Sequence, residues 1–303
     1  MKNYKLSKLM TLGIMSLTMF FTISCEQNEF NNVDKDVKLE NGRVVFKDLK
    51  AFENTMNTLH TYELEQIATW EKNLGHLSYR NSEVFMTDEE VVHDNQFAAV
   101  LNENAEYQIG DVIHKITHEI EYMIPVDKEE ALIMNDFDNP AIEKFKIINQ
   151  QFEMKDEKGN SLGEVARGPW GWLTYTYTYE SKKRMKLQGW NQTFINYANC
   201  GVRTVFERKN FLGLWYNADA VEIGFTNLPN ITKSRWRYYV VGFGYSDWLE
   251  QDIPTTRRTN QKDHSYTVGY IASTGGWVDV DYMTAVHYLN DGSRSFNVGN
   301  TYQ

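Results

Sequence analysis

The chain has 303 residues, of which 42% are hydrophobic and 24% charged, and its formal net charge at pH 7 is −10. This length suffices for one large domain or two modest ones. Residues 26–164 contain 13 Lys/Arg and 30 Asp/Glu, a net charge of −17, whereas residues 165–303 contain 15 and 11, a net charge of +4. The acidic first half argues against nucleic-acid binding, because phosphates are neutralised by Lys and Arg.

The first 25 residues have the pattern of a lipoprotein signal. Three lysines precede an apolar run at residues 9–23, which is too short and too rich in Met and Thr for a comfortable membrane span. The small residue Ser24 directly before Cys25 suits cleavage before the cysteine and acylation of its thiol. We therefore predict a protein of the cell envelope that is lipid-anchored in the outer membrane, periplasmic or surface-facing. An ordinary signal peptide or a core helix with an incidental cysteine is the alternative.

The segment at residues 26–41 is polar, and we predict that it is a flexible tether between the lipid and the folded part. If Cys25 carries lipid, Cys200 is the one cysteine left, so no internal disulfide forms. Cys200 lies in a strand-like context, and no sequence signature supplies a neighbouring base. We interpret it as a buried structural thiol rather than a nucleophile.

Residues 42–164 are predicted to form an acidic helical region with a small β-hairpin. Apolar spacing of three and four residues, together with capping residues, predicts the helices. They span residues 48–59, 62–74, 87–101 and 127–134, and a further helix starts at Asn139-Pro140. Two strand-like runs flank Gly110-Asp111, which predicts a tight turn with positive φ at Gly110 and a second strand that extends to Ile124.

Residues 165–303 differ from the first half, because their apolar residues alternate with polar ones along the chain. The run at residues 172–179 has period two, and seven of the eight tryptophans follow Ala166. Gly, Asn, Asp and Pro separate the strand candidates, which predicts an antiparallel β-sandwich. The boundary is expected at residues 156–171. The predicted fold class is therefore α+β, with the helical region and its hairpin followed by the sandwich.

Three segments carry a resemblance to a known group of proteins. They are Trp70-Glu71, the stretch Phe97-Ala98-Ala99-Val100-Leu101-Asn102-Glu103-Asn104, and Gln108-Ile109-Gly110-Asp111. Together with the signal and the aromatic second half, they resemble a group of uncharacterised lipoproteins of gut Bacteroidetes. The resemblance implies an envelope lipoprotein of an anaerobic gut bacterium. It implies no catalytic residue, because the group has no assigned activity.

His114 and His118 are candidates for metal ligands, since His118-Glu119 matches the start of a zinc-protease motif. The motif fails because residue 122 is Tyr. On a strand the two histidines lie about 13 Å apart, at roughly 3.3 Å per residue, which is too far for one ion. We therefore expect no metal site, and no motif indicates another cofactor.

Carboxylates beside aromatic residues suggest a hydrolase as a remote alternative. Asp279 and Asp281 share one strand face near Trp277, and Asp247 lies beside Trp248. Glycoside hydrolysis needs two such acids about 5–10 Å apart. The sequence alone does not show which of these acids lie close to one another in the fold, so no catalytic residue is assigned.

The aromatic residues of the second half are the candidates for ligand binding. They are Trp236, Tyr245, Trp248 and Trp277, with Asp247 as a polar neighbour. Exposed Trp and Tyr rings stack on sugar rings, but the same residues also fill sandwich cores. The leading hypothesis is a non-enzymatic protein-interaction or scaffolding module. The alternative is a carbohydrate-binding module that uses these rings.

Overall fold

A computed structural model of the protein describes residues 35–85, 90–150, 152–156, 158–162, 165–167, 172–229 and 231–303. Within these residues the strands form three sheets. The predicted signal and Cys25 lie outside the described residues. Across the described residues, every helix is too short or too polar to cross a lipid bilayer.

The first sheet has six strands. They are β1 (Val37–Glu40), β2 (Arg43–Phe46), β3 (Glu106–Ile109), β4 (Val112–Ile116), β5 (Ile120–Pro125) and β6 (Glu143–Lys146). They lie in chain order across the sheet, and β2 pairs with β3 in parallel while the other neighbours are antiparallel. The sheet is therefore mixed, and its first strand lies inside the segment predicted as a tether.

Four α-helices accompany this sheet in the described residues. They are α1 (Leu49–Leu59), α2 (Leu64–Leu74), α3 (Asn95–Val100) and α4 (Glu130–Met134). The predicted helices 48–59 and 62–74 are confirmed as α1 and α2. Asp48 caps α1 by accepting the Ala51 N–H at 2.9 Å. Gly75 ends α2 in the left-handed conformation, with φ +70°.

The prediction of a helical N-terminal region with one small hairpin is wrong, because the hairpin belongs to the six-stranded sheet. The helix predicted from Asn139-Pro140 is also wrong: residues 143–146 form β6, which pairs with β5. Pairing between strands overrides the helical spacing of the apolar residues there. The helix predicted over 87–101 is shorter than expected, since α3 begins after its cap Asp94. Residues 87–89 of that prediction lie outside the described residues.

The turn at Gly110 is confirmed, with φ +54°. The strand that follows it is shorter than predicted, because β4 ends at Ile116. The Thr117 N–H and hydroxyl donate to the Ile120 carbonyl oxygen at 2.9 and 2.8 Å and close a second turn. His114 therefore lies on β4 and His118 in the turn, so the two histidines do not share a strand.

The remaining strands form two antiparallel sheets. They are β7 (Ile148–Asn149), β8 (Met154–Asp156), β9 (Val165–Arg167), β10 (Leu173–Glu180), β11 (Lys183–Thr193), β12 (Tyr197–Lys209), β13 (Trp215–Asn217), β14 (Ala220–Phe225), β15 (Lys233–Val240), β16 (Gly244–Tyr245), β17 (Leu249–Asp252), β18 (Thr256–Gln261), β19 (Asp263–Ala272), β20 (Trp277–Asn290) and β21 (Ser295–Tyr302). One sheet has the order β13-β12-β11-β10-β9, with β19 beside β12 and β7 beside β11. The other has the order β16-β15-β20-β14-β18, with β17 beside β15, β21 beside β20 and β8 beside β21.

These two sheets pack face to face in a sandwich-like arrangement, as the alternating pattern predicts. Their inward side chains form one apolar cluster, which includes Met185 and Phe206 from one sheet and Ile223 and Met283 from the other. The cluster also contains the buried Tyr302 near the end of β21, whose ring lies against Gly189. A Cβ atom at Gly189 would lie 2.5 Å from that ring, so only glycine fits there.

Strand β7 precedes the predicted boundary at residues 156–171 and β8 ends at its first residue, yet both pair within the two sandwich sheets. β7 pairs with β11, and β8 pairs with β21. Several residues of the predicted boundary lie outside the described residues. The division into residues 42–164 and 165–303 stays a prediction.

A second apolar cluster joins the N-terminal region to the sandwich. It contains residues from α1, α3 and the first sheet, and also Phe194, Tyr197 and Ala272 from the sandwich. The Phe97 ring on α3 lies at its centre, 4.6 Å from the Tyr197 ring and 5.1 Å from the Phe194 ring. Aromatic packing therefore fixes α3 against the sandwich.

Buried carboxylates make the polar contacts across the same junction. Glu121 on β5 accepts the Ile195 N–H at 2.7 Å and the Tyr107 hydroxyl at 2.9 Å. The Glu90 carboxylate accepts a hydrogen bond from the Arg203 guanidinium at 3.0 Å, and both side chains are buried. A buried charge is tolerated only with such partners, so these acids fix where the sandwich residues must lie.

We predict that Phe97→Ala lowers the free energy of unfolding by about 3–5 kcal/mol, because it leaves a cavity between α3 and the sandwich. Urea denaturation followed by far-UV circular dichroism and by tryptophan fluorescence measures this change. Phe211→Ala is the control, since the Phe211 side chain is exposed, and its effect should stay within about 0.5 kcal/mol. Equal effects of the two substitutions would contradict the shared core.

Candidate functional site

A cleft of about 490 Å³ lies along one open side of the sandwich. Residues 60–64, which lead into α2, form one wall, together with Asn95 at the start of α3. Residues of β17, β18 and β19 form the opposite wall and the floor. A smaller cleft of about 240 Å³ shares Leu64, Arg258 and Ser265 with it and extends toward Arg80. The two clefts form a groove between the N-terminal region and the sandwich.

The cleft follows a strand edge that is unpaired within the described residues. β19 pairs with β12 on one side and has no strand on its other side. In the facing sheet, β17 pairs with β15 and β18 pairs with β14, and both lie at the outer edge. The groove is therefore bordered by edge strands of both sheets, a position where backbone groups are available to a ligand.

The ladder between β12 and β19 decides which backbone groups face the cleft. The Phe206 N–H donates to the Lys262 carbonyl oxygen at 2.9 Å. Hydrogen-bonded residues alternate along an antiparallel pair, so residues 264 and 266 bond to β12 like Lys262. The backbone N–H groups of Ser265 and Thr267, and the Ser265 carbonyl, therefore point away from β12. They form a short row of donors and acceptors along the free edge.

Side chains of the α3 cap hold this part of β19 in place. Asp94 caps α3 by accepting the Phe97 N–H at 2.6 Å, and its other oxygen accepts the Thr267 hydroxyl at 2.5 Å. The Asn95 amide donates to the Ser265 hydroxyl at 2.6 Å. Asp94 and Asn95 are both buried. They fix the strand through its side chains, and no group of the described residues bonds to the outer backbone groups of Ser265 and Thr267.

Two buried polar atoms of the cleft walls make no hydrogen bond within the described residues. They are Asn95 Oδ1 and Trp236 Nε1. The Trp236 ring packs on Gly269, where a Cβ atom would lie 2.5 Å from it. An unsatisfied buried polar group costs roughly 1–3 kcal/mol. Both atoms are buried beneath the cleft surface, so they carry this cost within the fold and do not identify a ligand.

Aromatic side chains flank the free edge on both faces of β19. The His60 ring stacks on the Tyr270 ring, with centroids 3.5 Å apart and planes 10° apart. His60 Nε2 lies 2.6 Å from the Tyr197 hydroxyl. On the other face, the Gln251 amide donates to the Tyr266 hydroxyl at 2.8 Å. These contacts hold the Tyr266 and Tyr270 rings in fixed positions beside the row of backbone groups.

Charged groups lie at the mouth of the cleft. The Arg258 guanidinium on β18 donates to Glu63 and to Glu65, each at 2.9 Å, and so links the sandwich to the start of α2. His264 Nε2 lies 2.9 Å from the Thr256 hydroxyl. Burial, together with the nearby charges of Arg258 and Arg257, lowers the pKa of His264 to about 4. His264 is therefore neutral at pH 7.

The predicted ligand-binding residues fall on two different surfaces. Trp236 is buried and faces the cleft. Its neighbours Arg235 and Arg237 point to the outer face of the sheet, because side chains alternate along β15. Tyr245, Trp248 and Trp277 lie on that outer face with them, and the exposed Asp247 lies in the adjacent loop.

The outer residues form a cluster around Arg237, which we call the outer aromatic cluster (Arg237, Tyr245, Trp248 and Trp277). The Arg237 guanidinium lies 4.0 Å from the centre of the Tyr245 ring and 4.3 Å from that of Trp248, and it pairs with Asp279 at 2.8 Å. The Tyr245 and Trp277 rings are perpendicular, 5.8 Å apart. The structure thus brings three of the predicted aromatic residues together on one surface and separates Trp236 from them, and their role in ligand binding stays a prediction.

Cys200 is buried in the sandwich core. Burial raises the pKa of its thiol well above the usual range, so the thiolate that a nucleophile requires is disfavoured. Among the described residues, no group of three His, Cys, Asp or Glu side chains is arranged to hold a metal ion. Instead, His114 Nδ1 lies 2.9 Å from the Glu121 carboxylate in the buried contact between β4 and β5.

Comparison with known proteins leaves the family open. No protein-family model matches the chain, and no curated protein matches it. A solved structure with detectable similarity is that of a DUF4848 family protein from Bacteroides thetaiotaomicron. It is 12% identical, the alignment covers 86% of this chain and 95% of that chain, and the TM-score is 0.24. So low a score carries no argument on fold or function, and the resemblance to Bacteroidetes lipoproteins stays a prediction.

Sequence reasoning missed the residues that shape the cleft. Ser265 and Thr267 are ordinary strand residues in the sequence, and their outward backbone groups follow from β19 being an edge strand, which only the sheet order shows. Asp94 carried a usable signal, since it stands three residues before Phe97 and is a good cap. The capping pattern at residues 87–90 competes with Asp94 as the predicted start of this helix.

We predict that His264 makes the protein less stable as the pH falls from about 6.5 to about 4. In this window the unfolded chain binds a proton at His264 and the folded protein does not, so acid favours unfolding. The loss from this group is about 3 kcal/mol. Urea denaturation of the wild type and of His264→Gln across this pH range measures it. Parallel pH profiles for the two proteins would contradict the prediction.

Proposed function

We propose that this protein is a non-enzymatic interaction module that binds an extended segment of a partner polypeptide in the cleft, as a strand added to β19. The observation that carries the proposal is the free edge at Ser265 and Thr267, whose backbone groups face a cleft of about 490 Å³. Strand addition to an exposed sheet edge is a recurrent mode of peptide recognition.

The spacing of the free backbone groups favours an extended peptide. Outward-facing residues recur every second position along β19, which corresponds to roughly 6.8 Å in an antiparallel strand. An extended backbone presents its own N–H and C=O groups at the same repeat. Main-chain hydrogen bonds would supply affinity, and the Tyr266 and Tyr270 rings on either side would contact the alternate side chains of the peptide.

The surrounding structure protects this edge only in part. Proteins usually shield edge strands with charges, bulges or a covering element. Here the loop from His60 to Leu64 lies over the strand, and Arg258 bonds to Glu63 across the opening. The remaining cleft of about 490 Å³ is of a size that suits a single extended segment. This combination favours a peptide ligand over self-association.

A proline at residue 265 tests the use of the edge. We predict that Ser265→Pro weakens binding of a selected peptide at least tenfold, because proline removes the outward N–H while the bonds to β12 are kept. Nine-residue peptides selected from a displayed library on the wild-type chain are the probes, and calorimetry measures their affinity.

Ser265→Ala is the matched control, because it removes the hydroxyl bonded to Asn95 and retains the backbone N–H. Thermal unfolding of both variants shows that the fold is kept. Equal affinity of wild type and Ser265→Pro, equal losses in both variants, or a library without any binder would each contradict strand addition.

Carbohydrate binding at the outer aromatic cluster is the second candidate. The Tyr245 side chain is half exposed, and Arg237 and Asp279 supply polar groups beside the rings. The arrangement is less favourable than two coplanar exposed tryptophans. Trp277 already stacks on Tyr239 at 3.8 Å, and Arg237 covers Trp248. This surface remains open to a sugar ring mainly through Tyr245.

A glycan array probed with the full chain tests this candidate. If a glycan binds there, we predict that Tyr245→Ala and Trp277→Ala each weaken binding roughly tenfold, through loss of ring contacts. Trp215→Ala is the control, since Trp215 is a partly exposed tryptophan that packs under Arg184 outside this cluster. An array without a hit, or a hit that both substitutions leave unchanged, would contradict it.

The lipid anchor at Cys25 and the location in the cell envelope are kept as proposals, supported by the basic, apolar and cysteine-terminated pattern of residues 1–25. An envelope location suits a module that binds an extended segment, because exported polypeptides are available there in unfolded form. The proposed binding site itself does not depend on the anchor.

A further inference from the structure

The turn between β12 and β13 exposes three large apolar side chains. Phe211 is 92% exposed, Leu212 68% and Leu214 62%. Large apolar side chains exposed together mark interaction sites more often than isolated ones do. We call residues 211–214 the apolar tip. Neither the cleft nor the outer aromatic cluster uses it.

The conformation of the apolar tip is fixed by hydrogen bonds. The Asn210 side-chain oxygen accepts the Leu212 N–H at 2.9 Å and the Leu214 N–H at 3.0 Å. The Asn210 N–H donates to the Leu214 carbonyl oxygen at 2.9 Å. Gly213 has φ +85°, which permits the tight turn. The turn therefore holds its apolar side chains outward in the free protein.

Cationic side chains surround the base of the apolar tip. The Arg184 guanidinium and the Lys209 ammonium lie 4.2 and 5.0 Å from the centre of the Trp215 ring. The Lys209 N–H donates to the Lys182 carbonyl oxygen at 2.9 Å, so the exposed Lys182 lies in the neighbouring turn. An amphipathic tryptophan and three cations thus lie directly behind the apolar side chains; Arg184 is paired with Glu207, so Lys182 and Lys209 are the two cations on which the proposal rests.

We propose that the apolar tip inserts into the surface of an anionic lipid bilayer. Phe211, Leu212 and Leu214 enter the boundary of the acyl chains, and Lys182 and Lys209 contact the headgroup phosphates. The apolar side chains project furthest and the cations lie behind them. This order matches a bilayer, in which the acyl chains lie below a layer of anionic headgroups. Trp215 lies between them, where an indole is favoured.

The shape of the apolar tip distinguishes a bilayer from a protein partner. Its side chains project from a convex turn, whereas peptide and protein partners of helices and strands need a groove or a flat face. A protein would require a matching cavity for each side chain, while a bilayer accommodates a protruding turn by displacing lipids. The cations add complementarity to an anionic surface.

The opposite end of the sandwich provides an internal control. There, the turn after β15 exposes Val241 by 58% and Phe243 by 90%. Residues 239–246 contain no Lys or Arg, and the nearby Arg237 pairs with Asp279. This second turn is as apolar as the first but lacks the surrounding cations, so it should not enter an anionic bilayer.

A spin label at residue 212 tests the proposal in the full chain. Cys25→Ser leaves the buried Cys200 as the remaining natural cysteine, and Leu212→Cys introduces the label site. The label's collisions with oxygen and with a water-soluble nickel chelate measure its depth. With vesicles of equal phosphatidylglycerol and phosphatidylcholine, we expect oxygen collisions to rise and nickel collisions to fall.

Three controls decide the outcome. A label at Phe243→Cys should remain aqueous, vesicles of phosphatidylcholine alone should leave residue 212 aqueous, and Lys182→Gln with Lys209→Gln should lower the inserted fraction at least tenfold. An aqueous label at residue 212 with anionic vesicles overturns the proposal. Equal burial at residue 243, equal burial in neutral vesicles, or burial only on addition of envelope proteins overturns it as well.

Discussion

Buried carboxylates at the junction between the N-terminal region and the sandwich are the contacts on which the rest of the structure depends. Glu90, Asp94 and Glu121 all belong to the acidic first half, and each accepts a hydrogen bond from the second half. A buried carboxylate that lost its partner would destabilise the folded state by several kcal/mol. The two halves are therefore held in one relative position. The excess of acidic residues before residue 165 is in part explained by these contacts.

The cleft is a direct consequence of this docking. Asp94 and Asn95 bond to side chains of Thr267 and Ser265 on one face of β19. The strand is thereby fixed although no strand of the described residues pairs with its outer edge, and the loop that precedes α2 lies beside that edge. An edge strand held rigid by its side chains is already ordered before a ligand arrives. Such preorganisation lowers the entropy that binding must otherwise overcome.

The sequence predicted helices and strands well where the spacing of apolar residues followed a single period, either two residues or three to four. The alternating run at residues 172–179 became β10, and the spacing and caps of α1 and α2 identified both helices. It failed at β6, because pairing with β5 decides that segment and no local pattern shows the pairing. The candidate cleft was not predictable, since it depends on the order of strands in two sheets. The position of Trp236 was predictable from alternation along β15, because Arg235 and Arg237 flank it.

The place of β21 in the sandwich sets an order of folding events for a chain that is synthesised from its N-terminus. Its partner β8 is synthesised almost 150 residues earlier, and Tyr302 fills the space over Gly189 in the core. Until β21 arrives, β8 lacks its pairing partner and the apolar core stays open on that side. The core of the sandwich is therefore completed only after strands far apart in the sequence have paired, which makes this pairing a slow step of folding.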